Sequence, residues 1–139
     1  LMFVAIQFYQ PKQNVSSSFD IGKNFANNYK VPPKILNSLQ KACYDCHSNT
    51  TKYLWYDYIQ PARLFVENHI KNGKKELNFN EFATYSNRKQ QSKLEAISRE
   101  IKSGTMPLSS YTQLHQDAIL DETQKQEIIS WIEQTINKE

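Results

Sequence analysis

Apolar residues in this chain recur every three or four positions, and no alternating run is long enough to build a sheet, so the pattern predicts an all-α fold. In "PKILNSLQKACYDCH", Pro33 stands where a helix can start, and Ile35, Leu36, Leu39, Ala42, Cys43 and Cys46 fall on one face. This predicts a single amphipathic helix carrying Cys43, Cys46 and His47 on its last turn. "DYIQPARLFVENHIKNG" repeats the period through Ile59, Ala62, Phe65, Val66, His69 and Ile70, with Gly73 as the expected C-terminal stop. "LNFNEFATYS" is a short aromatic segment of one or two helical turns. "RKQQSKLEAISREIKSG" sets Leu94, Ile97 and Ile101 on one face and ends at Gly104. In "LDETQKQEIISWIEQTI", Asp121 is the expected N-cap and Gln124 its capping-box partner, ahead of Ile128, Ile129, Ile132 and Ile136.

A length of 139 residues suits one domain. The Ser- and Asn-rich stretch "QNVSSSFDIGKNFANNYKVPP" divides it into a lead-in over 1–30 and a helical domain over 31–139. A mean hydropathy of -0.70 argues against a polytopic membrane protein. The 17 basic and 14 acidic residues are interspersed, which excludes the clustered basic stripe of a nucleic-acid binder. The N-terminal "LMFVAIQF" is apolar but far shorter than the roughly 20 residues of a spanning helix. It is expected either to pack on the domain or to be the tail end of a signal anchor.

The chemistry concentrates in "KACYDCHSNT", which holds both cysteines of the chain and one of its three histidines. A disulfide closing so short a loop gains little entropy. A zinc site would need a second ligand pair that the sequence does not supply at ordinary spacing. A redox-active Cys pair would follow a strand, whereas this one ends a helix. C-x-x-C-H is the attachment motif for a c-type haem: Cys43 and Cys46 each form a thioether with a vinyl group, and His47 binds the iron from beneath the ring.

The sixth iron position then decides the function, and three residues compete for it. Met106 lies in "SGTMPL", where Pro107 biases it towards an extended loop conformation. His69 falls on the apolar face of its helix, and His115 follows in "YTQLHQDAIL". His47 and Met106 form the expected metal pair, which favours a one-electron couple of raised potential. Trp55 and Tyr56, with Tyr53 and Tyr58, are candidates to wall the porphyrin or to pack in the core. Arg63, Lys74 and Lys75 are candidates to pair with the propionates or to remain solvated.

The run from Val31 to about Trp131 resembles the haem-binding domain family of bacterial exported cytochromes. The matching pieces are "CYDCHSNTT", "WYDYIQPA", "HIKNGKKELNFNEF", "KLEAISREIKSGTMPLSSYTQLHQDAIL" and the helix containing Trp131. The resemblance implies one covalent haem c, held by Cys43, Cys46 and His47 in a small cytochrome c-like helical domain. It also implies a periplasmic or otherwise exported location, with an apolar N-terminal membrane anchor. The Met106-Pro107 step is similar to the distal Met loop of small cytochromes c. Some members of the family have Gly-Arg where this chain has Gly73-Lys74, and Trp where it has Phe82; a lysine offers a propionate only a point charge. The expected partner is a redox protein such as a haem peroxidase or another cytochrome.

The expected activity is electron carriage by a monohaem c-type cytochrome that is not itself a catalyst. The alternatives are a haem sensor or peroxidase-like protein with an open sixth site, and a metal-free interaction module.

Overall fold

The computed structural model describes residues 1–16 and 23–138. Its element order is α1 (Met2–Ile6), α2 (Phe25–Asn28), α3 (Pro33–Ala42), α4 (Tyr44–His47), a 3-10 turn at Trp55–Tyr58, α5 (Ala62–Glu76), a second 3-10 turn at Phe82–Thr84, α6 (Asn87–Ser103), α7 (Ser109–Thr112), a third 3-10 turn at Gln116–Ala118, and α8 (Glu122–Ile136). The fold is all-α: among the described residues the only β pairing is an isolated bridge between Val15 and Thr50. Part of the expected lead-in, residues 17–22, lies outside the described residues.

The capping signals act as the sequence predicts. Asp121 accepts from the Gln124 backbone N–H at 2.8 Å and the Gln124 side chain accepts from the Asp121 N–H at 2.9 Å, closing a capping box at the start of α8. Gly104 ends α6 in the left-handed region at φ 72°. Gly104 N–H donates to Ile101 O and Thr105 N–H to Glu100 O, the paired bonds of a Schellman ending.

Two expected boundaries differ from those observed. The first long helix is not continuous to His47; it breaks at Cys43, whose backbone leaves the helical region at φ -128°, and α4 restarts as one turn on a new axis. Gly73 does not stop α5, which continues to Glu76. A Cβ built on Gly73 would lie 2.7 Å from the Cys46 carbonyl oxygen, so the glycine allows α4 to press onto α5.

The core lies between α3, α6 and α8, and is capped by an aromatic cluster. Leu39, Leu94, Ile128 and Ile132 are almost fully buried. Phe25 meets Phe79, Phe82 and Trp131 at ring-centroid distances of 5.1, 4.8 and 5.8 Å, so Trp131 packs in this cluster. The core thus reaches back to Phe25.

The N-terminal segment is strapped to the turn before α5 by polar bonds. Fully buried Gln60 donates from its side chain to Tyr9 O, while its backbone N–H donates to the Gln7 side chain at 2.9 Å. Arg63 Nη2 donates to Pro11 O at 2.6 Å, and Asn14 N–H donates to the Tyr53 hydroxyl at 2.6 Å. The strap leaves α1 itself unburied, with Met2, Phe3, Val4 and Phe8 exposed. No helix among the described residues is long and apolar enough to cross a membrane.

Candidate functional site

The break at Cys43 turns the C-x-x-C-H segment away from the core. Cys46 and His47 N–H both donate to Cys43 O, forming the single turn of α4. Tyr44 faces the core and stacks on Phe79 at 4.7 Å and 15°. Asp45 pins the turn from the other side: its carboxylate accepts from Lys52 N–H at 3.0 Å and from the Tyr111 hydroxyl at 2.8 Å. Cys43 packs at the edge of the core, while Cys46 and His47 turn towards α5 and the cavities beside it.

Both thiols are free and half-buried. Burial, aided by the neighbouring Cys46, pushes the Cys43 thiol up to about 12. Burial and then the Asp45 charge push Cys46 up to about 11. Both are protonated at neutral pH in this fold.

The three histidines share one hydrogen-bond arrangement with different outcomes. Each Nδ1 lies against a backbone carbonyl, which only accepts, so each Nδ1 carries the proton. His47 donates to Leu77 O at 3.1 Å, His69 to Phe65 O at 2.9 Å, and His115 to Tyr111 O at 3.0 Å. Fixing the proton there leaves Nε2 with a lone pair, the usual way a protein prepares an imidazole ligand. Burial lowers the His47 pKa, which keeps that lone pair unprotonated. At His115, Nε2 already accepts from the Tyr56 hydroxyl at 3.2 Å, which removes it from the set of available ligands.

Adjacent cavities surround the motif. One of about 220 Å³ is lined by Cys43, Cys46, His47, His69, Met106 and Pro107 among others. A second, of about 310 Å³, shares Cys43, His47, Met106 and Pro107 and adds the apolar Ile97 and Leu120. A third, of about 150 Å³, opens on the Cys46 side between Tyr56, Phe65, Val66, His69 and Tyr111. The Schellman ending of α6 delivers Met106 to this site, half-buried, with its N–H on Glu100 O at 3.3 Å.

The structure therefore brings together Cys43, Cys46, His47, Met106, Pro107, His69 and Tyr56. It separates others. Trp55 is 76% exposed and lines none of the three cavities, because the 3-10 turn points its ring outward. Arg63 is buried at 3%, held between the Tyr53 and Tyr58 rings at 5.3 and 5.9 Å and beside Glu67, so its charge is committed to the strap rather than to a propionate. Lys74 lines none of the three cavities and donates to the Asn14 side chain at 2.7 Å. Phe65 and Ile59, expected on a buried face, are 58% and 42% exposed; Phe65 lies at the mouth of the third cavity instead of in the core.

Sequence reasoning missed Lys93, Arg99 and Glu76, which border the second cavity. Lys93 and Arg99 flank the apolar Leu94 and Ile97 on α6, and their chain position alone gives no sign that the helix edge meets the motif. It also missed Asp45 and Tyr111, whose partnership spans 66 residues of sequence.

These residues fit the group the motif implies. Two neighbouring thiols, an imidazole with a free Nε2 and a thioether sulfur border mainly apolar cavities that share lining residues, which suits a flat apolar ring with a central metal. A family model described as a haem-binding domain matches residues 1–134, nearly the whole chain, which therefore belongs to that family. No curated protein and no solved structure matches it.

Proposed function

We propose that this member of the haem-binding domain family carries one covalently attached haem c and passes single electrons between proteins. The observation that carries the reading is His47: its Nδ1 proton is held by Leu77 O, and its ring lines the cavity that both thiols and Met106 also line. His47 would hold the iron of a bound haem through Nε2 and Met106 through its sulfur. When bound, haem supplies the Fe(III)/Fe(II) couple.

The chain's own groups do the rest. Cys43 and Cys46 would hold a haem by adding across its vinyl groups, sulfur to one carbon and hydrogen to the other, a chemistry that needs no net oxidation. The Leu77 carbonyl then fixes the His47 ring and raises its basicity towards iron. Ile97, Leu120 and Val66 offer apolar walls to the ring. Closing both axial positions keeps the iron's surroundings similar in both oxidation states, as an electron carrier requires. Export and attachment to a membrane through the N-terminal segment belong to the same proposal, supported by the exposed apolar side chains of α1.

The test is to produce the protein in a host with a haem-attachment pathway and record the mass and absorption spectrum of the denatured chain. The expected result is one haem retained covalently, with Cys43→Ala and Cys46→Ala each retaining a single thioether and a haemochrome band moved to longer wavelength. A chain recovered with both thiols free would overturn the proposal.

A further inference from the structure

Trp55 and Tyr56 were expected at the haem, yet one is a surface residue and the other touches only the outer cavity. Their rings form the outer end of a continuous row. Tyr111 lines two of the cavities that Cys46 also lines and stacks on His115 at 4.0 Å and 16°. His115 meets Tyr56 at 6.2 Å, with the Tyr56 hydroxyl donating to its Nε2. Tyr56 meets Trp55 at 5.7 Å. Tyrosine and tryptophan are the side chains most easily oxidised by one electron after the thiols, and both phenols here have a base in hydrogen-bonding contact.

We infer that Tyr111, His115, Tyr56 and Trp55 form an outlet by which an oxidising equivalent leaves the cofactor cavity and reaches the protein surface at Trp55. The inference rests on the haem reading of the site and requires that hydrogen peroxide displace the Met106 sulfur from the iron. Its oxidant is hydrogen peroxide and its final reductant a small phenol in solution. Tyr111 gives an electron towards the peroxide-oxidised haem while its proton moves along the 2.8 Å bond to Asp45. Tyr56 refills Tyr111, which regains its proton from Asp45, and the Tyr56 proton passes to His115 Nε2. Trp55 refills Tyr56, which recovers that proton, and the indole N–H proton leaves to water. The net loss is one electron and one proton from Trp55, restored by the phenol. Two such passages supply the two electrons and two protons that turn one hydrogen peroxide into two waters.

The rest of the surface supplies an internal control. Tyr53 and Tyr58 form a separate ring pair at 6.3 Å, tied to Arg63, and line none of the three cavities. Simple exposure to oxidant would label exposed Tyr58 along with Trp55, whereas the outlet labels Trp55 selectively.

The experiment treats the haem-loaded ferric protein with a small excess of hydrogen peroxide and a nitroso spin trap, and locates adducts by peptide mass spectrometry. The expected result is an adduct at Trp55, its transfer to Tyr56 in Trp55→Phe, and its loss from Trp55 in both Tyr56→Phe and Tyr111→Phe, with faster bleaching of the haem band in those two. An adduct at Trp55 that persists in Tyr56→Phe and Tyr111→Phe overturns the outlet, as does wild-type labelling that misses Trp55. The haem band before peroxide is added keeps the two readings apart: a protein lacking it refutes the haem assignment, whereas normal haem with the wrong labelling refutes the outlet alone.

Discussion

The Cys46 carbonyl occupies the space a side chain on residue 73 would need: a Cβ there would lie 2.7 Å from the oxygen and 3.2 Å from Cys46 Cβ. Glycine in mid-helix costs about 1 kcal/mol relative to alanine, so a residue chosen for helix stability alone would not be glycine. What it permits is the contact of α4 with α5, which sets Cys46 beside Phe65, Val66 and Ile70 of α5.

Gly73→Ala puts these effects in opposition. Overpacking against backbone costs about 1–3 kcal/mol, and the propensity gain returns about 1. The expected outcome is a net loss of up to about 2 kcal/mol in urea unfolding of the haem-loaded protein, with a lower haem yield. A gain in stability would show that α4 moves aside freely and that the close approach has no role.

Gly104 is constrained for a different reason. Nothing lies within 4 Å of a Cβ built there, but φ is 72°, and a left-handed residue other than glycine costs about 1–2 kcal/mol. Gly104→Ala is expected to lose about 1 kcal/mol in the same measurement, and Gly104→Asn less, because asparagine tolerates this region. The Schellman bonds that place Met106 depend on this ending, so the alanine variant should also weaken the far-red ferric band of methionine coordination. Equal stabilities for the alanine and asparagine variants would refute the conformational account.

Arg63 tests the strap. Its guanidinium is 3% exposed, donates to Pro11 O and lies 3.3 Å from the Glu67 carboxylate. Removing one member of a buried charge pair costs about 3–5 kcal/mol because the other is left uncompensated. Arg63→Ala is expected to destabilise by about 3 kcal/mol and to open residues 7–16 to limited proteolysis, and Arg63→Lys to fall between, since an ammonium cannot reproduce the fork. A proteolysis pattern identical to wild type would show that the segment is held by other contacts.

Most helices were legible because their signals are local. Asp121 with Gln124 is a cap within four residues of what it caps, and the three-and-four period of Leu94, Ile97 and Ile101 needs no tertiary information. The errors arose where distant segments override a local rule. Gly73 reads as a stop until Cys46 is placed against it, and Arg63 reads as a surface charge until Pro11 and Glu67 surround it. The motif residues were legible from spacing, but their surroundings were not. Tyr111 meets Asp45 only because the chain after α6 folds back over α4, and the residue pattern carries no trace of that return.

Asp57 provides a pH test. The residue is 3% exposed, and burial holds its carboxyl above the ordinary value against the Leu54 N–H, which donates to it at 2.7 Å and pulls the other way. A carboxyl raised in the native state keeps its proton at a pH where the unfolded chain has released it, so lowering pH favours the native state at this site. Wild type should therefore gain stability relative to Asp57→Asn as the pH falls from neutral towards the ordinary carboxyl value of 3.8. A relative loss over that range, followed by urea unfolding of both proteins in parallel, would mean that the Leu54 bond outweighs burial.

The axial ligand is the last test, and two residues compete for it on geometric grounds. Met106 lines both cavities that contain His47, whereas His69 lines one of them, with its Nε2 left free by the bond to Phe65 O. A thioether ligand raises the potential relative to a second imidazole. Met106→Ala is expected to abolish the far-red ferric band, and Met106→His to lower the midpoint potential while keeping the iron six-coordinate. His69→Ala should leave both properties as in wild type. Carbon monoxide distinguishes a closed site from an open one: the ferrous wild type should bind it slowly and Met106→Ala rapidly. If the wild type lacks the far-red band and His69→Ala, but not Met106→Ala, loses six-coordinate iron, His69 is the ligand and the couple lies lower. If carbon monoxide binds the wild type as fast as Met106→Ala, the sixth position is open, and the protein is a sensor or peroxidase-like enzyme rather than an electron carrier.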